Sequence, residues 1–136
     1  MKKLFLTLPL LLVASINAKD LAYDKTTSLL WQDSFDNVDL AITHNEASQY
    51  CSKLVVDDYS SFRLPTVEEL QSIIDLKKYK PAIINGFKYV DTEYYWSSTP
   101  YAGDKSEFWA ISFKSGESNT ISENYDRHVR CVKSVK

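Results

Sequence analysis

Two cysteines, Cys51 and Cys131, stand far apart in a chain whose first residues read as an export leader, and this combination constrains the fold more than any other feature. Lys2 and Lys3 precede an apolar run from Leu4 to Ile16, interrupted by Thr7, Pro9 and Ser15, which gives way to Asn17 and Ala18. Charged, then apolar, then small residues is the order of a secretory signal. An apolar run of about 13 residues is too short to cross ~30 Å of hydrocarbon as a helix. Residues 1–18 are therefore expected to be a signal peptide cut after Ala18, with Ser15 the alternative site and an uncleaved anchor the competing reading. No cysteine lies near the cut, which argues against a lipid anchor. The remaining residues, 19–136, are expected to form one domain, periplasmic, secreted or at the cell surface, with no stable membrane span after cleavage.

Export delivers Cys51 and Cys131 to a compartment where disulfides form and persist. Ala47, Tyr50, Cys51, Leu54 and Val55 follow the i, i+3, i+4, i+7, i+8 spacing of one apolar helix face. Val129, Cys131 and Lys133 alternate with Arg130 and Val132, as along a strand. Both cysteines thus fall on inward faces, and one bond between them is expected; two buried free thiols are the alternative. Such a bond would stabilise the fold by about 4 to 5 kcal/mol in the chain-entropy account.

Leu21 to Tyr23 and Ser28 to Gln32 are short β-prone runs separated by Asp24-Lys25-Thr26-Thr27, which predicts a hairpin. Residues 33–42 are acidic and read as turns. Thr43 with Glu46, and Thr66 with Glu69 after Pro65, have the spacing of capping boxes, so two helices should begin there. Val67, Leu70, Ile73, Ile74 and Leu76 supply the apolar side of the second, and Pro81, Asn85 and Gly86 mark loops beyond it. From Tyr94 onward, aromatic and β-branched runs broken by Pro100, Gly103 and Gly116 favour strands. Trp109, Ile111 and Phe113 alternate with Ala110 and Ser112, so one face of that strand is expected to be buried. Residues 114–127 read as a long polar connection.

Without the leader's Lys2 and Lys3, the 16 basic residues fall to 14 against 18 acidic ones, a net charge of −4. No basic field exists to draw nucleic acid. Lys77, Lys78 and Lys80 form the dense basic cluster of the chain and read as a solvated helix end.

With the elements in order, a family pattern emerges. Its residues are Leu30-Trp31-Gln32, Ala47 with Tyr50-Cys51 and Leu54, and Phe62-Arg63-Leu64-Pro65-Thr66-Val67-Glu68-Glu69-Leu70. Tyr95-Trp96-Ser97-Ser98-Thr99, Phe108 to Phe113 before Gly116, and Val129-Arg130-Cys131-Val132-Lys133 follow. In this sequence of anchors, over roughly residues 23–133, the chain resembles the Lcl C-terminal domain family. The resemblance implies a C-type-lectin-like α+β fold, with two helices packed on small antiparallel sheets and a long loop region over one face. It also implies export, and a relation to the C-terminal domains of collagen-like adhesins that bind glycans. No Gly-X-Y tract occurs here, and Phe62 stands where the family usually has Trp, a change read as a core aromatic swap. The Glu-Pro-Asn, Gln-Pro-Asp and Trp-Asn-Asp triplets of calcium-dependent lectins are missing, so calcium-bridged sugar binding is not supported.

No catalytic residues are assigned. A Cys/His nucleophilic site would need a reactive thiolate beside His44 or His128, and both cysteines read as structural. Formylglycine-generating enzymes share a related fold but are far longer. Thiolate metal sites need clustered Cys and His, and the acidic groups Asp33, Asp36 and Asp39, or Asp57 and Asp58, lack the spacing of a calcium loop. Neither a metal nor a cofactor is expected. Trp31, Trp96 and Trp109 sit inside strand motifs and read as core. Arg63 and Arg130 are expected to pair with carboxylates such as Glu68 or Glu69. Contact residues for a glycan or an envelope protein are expected in loops between residues 94 and 127: Tyr94, Tyr101, Asp104, Glu107, Asn119, Asn124, Tyr125 and Arg127. The expected function is a non-enzymatic binding module; the alternative is a structural or assembly subunit of an envelope complex.

Overall fold

The computed structural model describes residues 20–135; the expected signal peptide lies outside the described residues. The predicted hairpin is present. Strands β1 (Leu21–Asp24) and β2 (Leu29–Gln32) pair antiparallel, with Leu21 opposite Gln32 and Asp24 opposite Leu29. The Asp24 carboxylate closes the turn by accepting from the Thr26 amide and the Thr27 hydroxyl, both at 3.0 Å. On the other edge of β2 lies β8 (Val132–Ser134), antiparallel, with Trp31 opposite Val132. Every residue of β2 is buried.

Both capping boxes form. Helix α2 (His44–Lys53) starts at Thr43, whose amide donates to Glu46 Oε1 at 3.1 Å, and α3 (Val67–Ser72) starts at Thr66, whose amide donates to Glu69 Oε1 at 2.9 Å. Each satisfies helix N–H groups that would otherwise have no partner. The helices stop earlier than their apolar spacing implies. Leu54 is already extended, so Val55 leaves the stripe and stands 64% exposed. Beyond α3, Ile74 turns away to bridge Ile83, and Leu76 is 81% exposed rather than inward. Lys77, Lys78 and Lys80 accordingly lie in a turn and not at a helix end.

Residues 33–42 are more ordered than acidic turns. They carry α1 (Asp36–Asp39) and β3 (Ala41–Ile42). Asn37 is the anchor: fully buried, it accepts from the Ser34 amide at 2.7 Å and donates to the Val129 carbonyl at 2.9 Å.

The second sheet has the order β3-β7-β4-β5-β6, with β4 (Tyr94–Tyr101), β5 (Asp104–Ser112), β6 (Ser118–Ser122) and β7 (Arg127–His128). Its pairs are antiparallel except β4 with β7, where Tyr95 lies beside His128 in parallel. This corrects the expected long loop region: residues 94–122 form the meander β4-β5-β6, and the polar stretch 114–127 contains β6 and the first residue of β7. Gly116, at φ 89°, supplies the left-handed backbone that turns β5 into β6.

The face of β5 expected to be buried is so at Ile111 and Phe113, and the other face is buried as well. Ala110, Ile111, Ser112 and Phe113 are all buried, because helices cover both sides of the sheet. Trp96, Ala110 and Ile121 pack with Ala47 and Cys51 of α2. Tyr95, Ile111 and Phe113 pack with Val67 and Leu70 of α3 and with Trp31 of β2. The architecture is α+β. Phe62 is buried in the α2-side core, as an aromatic swap requires.

Cys51 and Cys131 form the expected disulfide, with Cα atoms 5.4 Å apart and 80 residues of separation, and both are wholly buried. It joins α2 to the segment just before β8.

Candidate functional site

Side chains that carry chemistry gather in two places. The first is a buried knot around Arg130, which is fully enclosed. Its Nη1 donates to the Gln32 carbonyl at 2.7 Å and lies 3.4 Å from Asp33 Oδ1, while Nη2 donates to the Tyr89 carbonyl. The guanidinium lies over two rings, those of Phe87, 5.0 Å away, and Tyr95, 5.6 Å away. The expected pairing of Arg130 with Glu68 or Glu69 is therefore overturned, whereas Arg63 does pair with Glu69, at 2.7 and 2.8 Å. Arg130 follows a buried strand segment inward and meets the only kind of partner such a site can tolerate, a desolvated carboxylate with further donors.

Asp33, in turn, accepts from the amides of Lys88 and Tyr89 at 2.9 Å each, which pins the loop before β4. Tyr95 receives the Asp91 amide at 2.9 Å and donates to the Asn37 carbonyl. Burial pushes the Tyr95 hydroxyl above its ordinary pKa. His128 lies 3.2 Å from Asp91. These bonds face inward and occupy both terminal nitrogens of Arg130, the Asp33 carboxylate and the Tyr95 hydroxyl, while the buried Arg130 Nε and His128 Nδ1 have no partner among the described residues; enclosed in this way, the knot holds structure.

The second place is an exposed patch at one end of the meander. Tyr94 opposes Ser112, and Ala110 opposes Asn119, so Tyr94 and Asn119 share the α2 side of the sheet. Arg127, opposite Ile42 on β7, comes to the same side. The Tyr94 hydroxyl donates to Glu117 Oε2 at 2.7 Å, which raises its pKa, with neighbouring Asn119 and Arg127 acting in the opposite sense. The Arg127 guanidinium sits 5.5 Å over the Tyr125 ring, which is 60% exposed. Nη1 of Arg127 donates to the Asp126 carbonyl at 2.8 Å, and its buried Nε has no partner among the described residues. Asn124, adjoining Tyr125 in the turn, is exposed.

Thus four of the eight expected contact residues, Tyr94, Asn119, Tyr125 and Arg127, lie together, and all but Tyr125 are on strands rather than loops; exposed Asn124 follows Glu123, whose amide donates to the Ser106 carbonyl at 2.8 Å, nearer the start of β5. Glu117 belongs with them and was missed. The Gly116 turn is the signal that could have found it, because the turn brings Glu117 across from Ser112, whose amide donates to the Glu117 carbonyl at 2.9 Å.

Tyr101 and Asp104 lie elsewhere, at the opposite end of β5, and Glu107, in mid-strand opposite Ser122, is on the side of the sheet shared with Trp109 and Ile111 rather than on the α2 side. The ends of that strand are roughly 25 Å apart at ~3.3 Å per residue, so the eight residues do not make one surface. Tyr101 packs edge-on against Trp109 at 5.9 Å. Asp104 accepts from the Ser106 amide and hydroxyl, which holds its carboxyl below the ordinary pKa. Glu107 is partly buried opposite Ser122. Of the tryptophans, Trp31 and Trp96 are wholly buried, as expected, and Trp109 is partly so.

The histidines stand apart from the cysteines' chemistry, since the disulfide leaves no thiolate. His44 stacks on Phe108, its Nε2 lies 2.8 Å from the Ser97 carbonyl, and burial lowers its pKa. Among the described residues, no cluster of three or more His, Cys, Asp or Glu side chains is placed to hold a metal ion, and no helix is long and apolar enough to cross a membrane. No curated protein matches the chain. The family model of the Lcl C-terminal domain matches residues 20–133.

Proposed function

This chain belongs to the Lcl C-terminal domain family, and from that premise we propose that it is an exported, non-enzymatic binding module of C-type-lectin-like fold. Its ligand is a glycan or a protein at the cell envelope. The observation that carries this reading is the convergence of Tyr94, Asn119, Tyr125, Arg127 and Glu117 on one exposed sheet end. Tyrosine rings offer flat apolar faces to the C–H face of a sugar or to a peptide side chain, with hydroxyls for polar groups at the rim. Asn119, Arg127 and Glu117 add amide, cationic and anionic partners within the same patch. The Arg127–Tyr125 stack and the Tyr94–Glu117 hydrogen bond hold these groups before a ligand arrives, which lowers the ordering cost of binding.

A glycan array with the purified protein tests the reading. Binding to a defined glycan class, lost in Tyr125→Ala and Arg127→Ala but kept in Tyr101→Ala at the far end of the sheet, is the expected outcome. Silence on the array, together with a stoichiometric envelope protein recovered on the same patch, moves the ligand to protein. Binding that survives both patch variants defeats the assignment of the site.

A further inference from the structure

The turn that follows α3 carries a feature that the patch does not use. Leu76 is 81% exposed and Tyr79 is 61% exposed, three residues apart, with Lys77, Lys78 and Lys80 interleaved. Isolated exposed apolar residues are ordinary, but two large ones among three lysines in a chain of net charge −2 are a local inversion of the surface. The turn is also held in place. The Lys78 amide donates to the Asp75 carbonyl at 3.0 Å, the Asp75 amide to the Ala82 carbonyl at 3.1 Å, and the Lys80 amide to the Lys114 carbonyl at 2.9 Å. That last bond brings exposed Lys114 to the same region. Two acids flank the turn, and both are engaged within the fold: Asp75 accepts from the Lys77 amide, and Glu117 from Tyr94 and Ser115.

Lys78 is half-buried and its Nζ donates to Asn85 Oδ1, which leaves Lys77, Lys80 and Lys114 as the exposed cations. We propose that this turn, with Leu76 and Tyr79 at its tip and Lys77, Lys80 and Lys114 around it, docks the domain on an anionic lipid surface. Charge complementarity selects the occupant. Leucine enters the acyl boundary, tyrosine sits at headgroup level, and lysines reach anionic headgroups along their apolar stems. A purely apolar tip would fit a protein pocket equally well; three exposed lysines around it fit a negatively charged plane. The tip adjoins the proposed ligand patch, because a Cβ on Gly116 would lie 3.3 Å from Leu76 Cδ2 and Glu117 is the next residue. Docking would therefore bring the patch near the lipid, although the docking itself does not depend on any ligand there.

The test is co-sedimentation of the chain from Lys19 onward, which carries all the described fold, with vesicles of phosphatidylcholine alone or mixed with phosphatidylglycerol. Binding to mixed vesicles only, weakening with salt, is expected. Each lysine removed, as in Lys77→Gln or Lys80→Gln, should lower apparent affinity about fivefold, and Leu76→Ser should lower it at least as much at unchanged thermal midpoint. Absence of binding, equal binding to neutral vesicles, or full binding by Leu76→Ser overturns the proposal. Equal competition by soluble polyglutamate would assign the turn to an acidic protein instead, and a Leu76-dependent dimer in sedimentation equilibrium would assign it to a second copy; either result also overturns it.

Discussion

Arg130 and Arg127 stand three residues apart on adjoining segments, and each is surrounded by the same residue types: a carboxylate, an asparagine and tyrosines. Around Arg130, the neighbours are Asp33 and Tyr95, enclosed, with Asn37 one bond further on, its carbonyl accepting from the Tyr95 hydroxyl. Around Arg127, they are Glu117, Asn119 and Tyr125, all exposed, and half-buried Tyr94. Chemistry alone does not tell a structural knot from a contact surface. The difference lies in where backbone carbonyls and amides point: Arg130 meets two inward carbonyls, whereas Arg127 meets one, from its neighbour in sequence. Arg63 falls between the two, with a bidentate carboxylate partner at a half-open site.

The sharpest way to break the comparison is Arg130→Leu. It leaves Asp33 enclosed without its cation, and urea unfolding should show a loss of about 3–5 kcal/mol. Adding Asp33→Asn should return part of that loss; if the single variant unfolds like the parent, the knot is not structural.

A smaller effect is expected at Glu69. The hydrogen bond from Arg63 is the largest cause of its lowered pKa. The unfolded chain therefore takes up the proton first as acid is added, so the pair's stability is present above the unfolded value of about 4.3 and is lost as pH falls through the lower folded value. Solvent around Arg63 limits the contribution to about 1 kcal/mol. The urea midpoint of Glu69→Gln should lie below the parent's at neutral pH and converge with it in acid; a constant gap would contradict the linkage.

Arg127→Ala should do least to stability, shifting it by under about 0.5 kcal/mol, with the effect appearing in ligand binding. A large loss in thermal unfolding would place Arg127 with Arg130 and remove the contrast.

These arginines also mark what the sequence revealed and what it hid. The capping boxes at Thr43 and Thr66, the first hairpin and the disulfide were legible because each rests on local chemistry or on a period that tertiary contacts respect. Strand β6 was not legible, since Ser118, Asn119, Thr120 and Ser122 are polar and Ile121 alone of the five is buried. The period of β5 revealed one buried face of two, because both are covered and alternation reports only a half-buried strand. Arg130 was assigned to the wrong carboxylates because its true partner, Asp33, is almost a hundred residues away. The patch was legible as a composition but not as a place: register, invisible in one sequence, sets Tyr94 beside Asn119 and parts both from Tyr101.

The junction of β2 with β8 has a consequence for how the protein comes into being. Trp31 finds its strand neighbour at Val132, Asp33 its cation at Arg130, and Cys51 its partner at Cys131. Three independent closures thus wait for residues at the very end of the described chain. Until those residues are in place, β2 has only β1 beside it, Asp33 lacks its cation and Cys51 its covalent tie, and the cost of closing so long a loop is met only at the finish. A chain cut before Arg130 would lose the β2 edge, the cation of Asp33 and the covalent tie of Cys51 in a single step, so the last few residues set the two cores against each other.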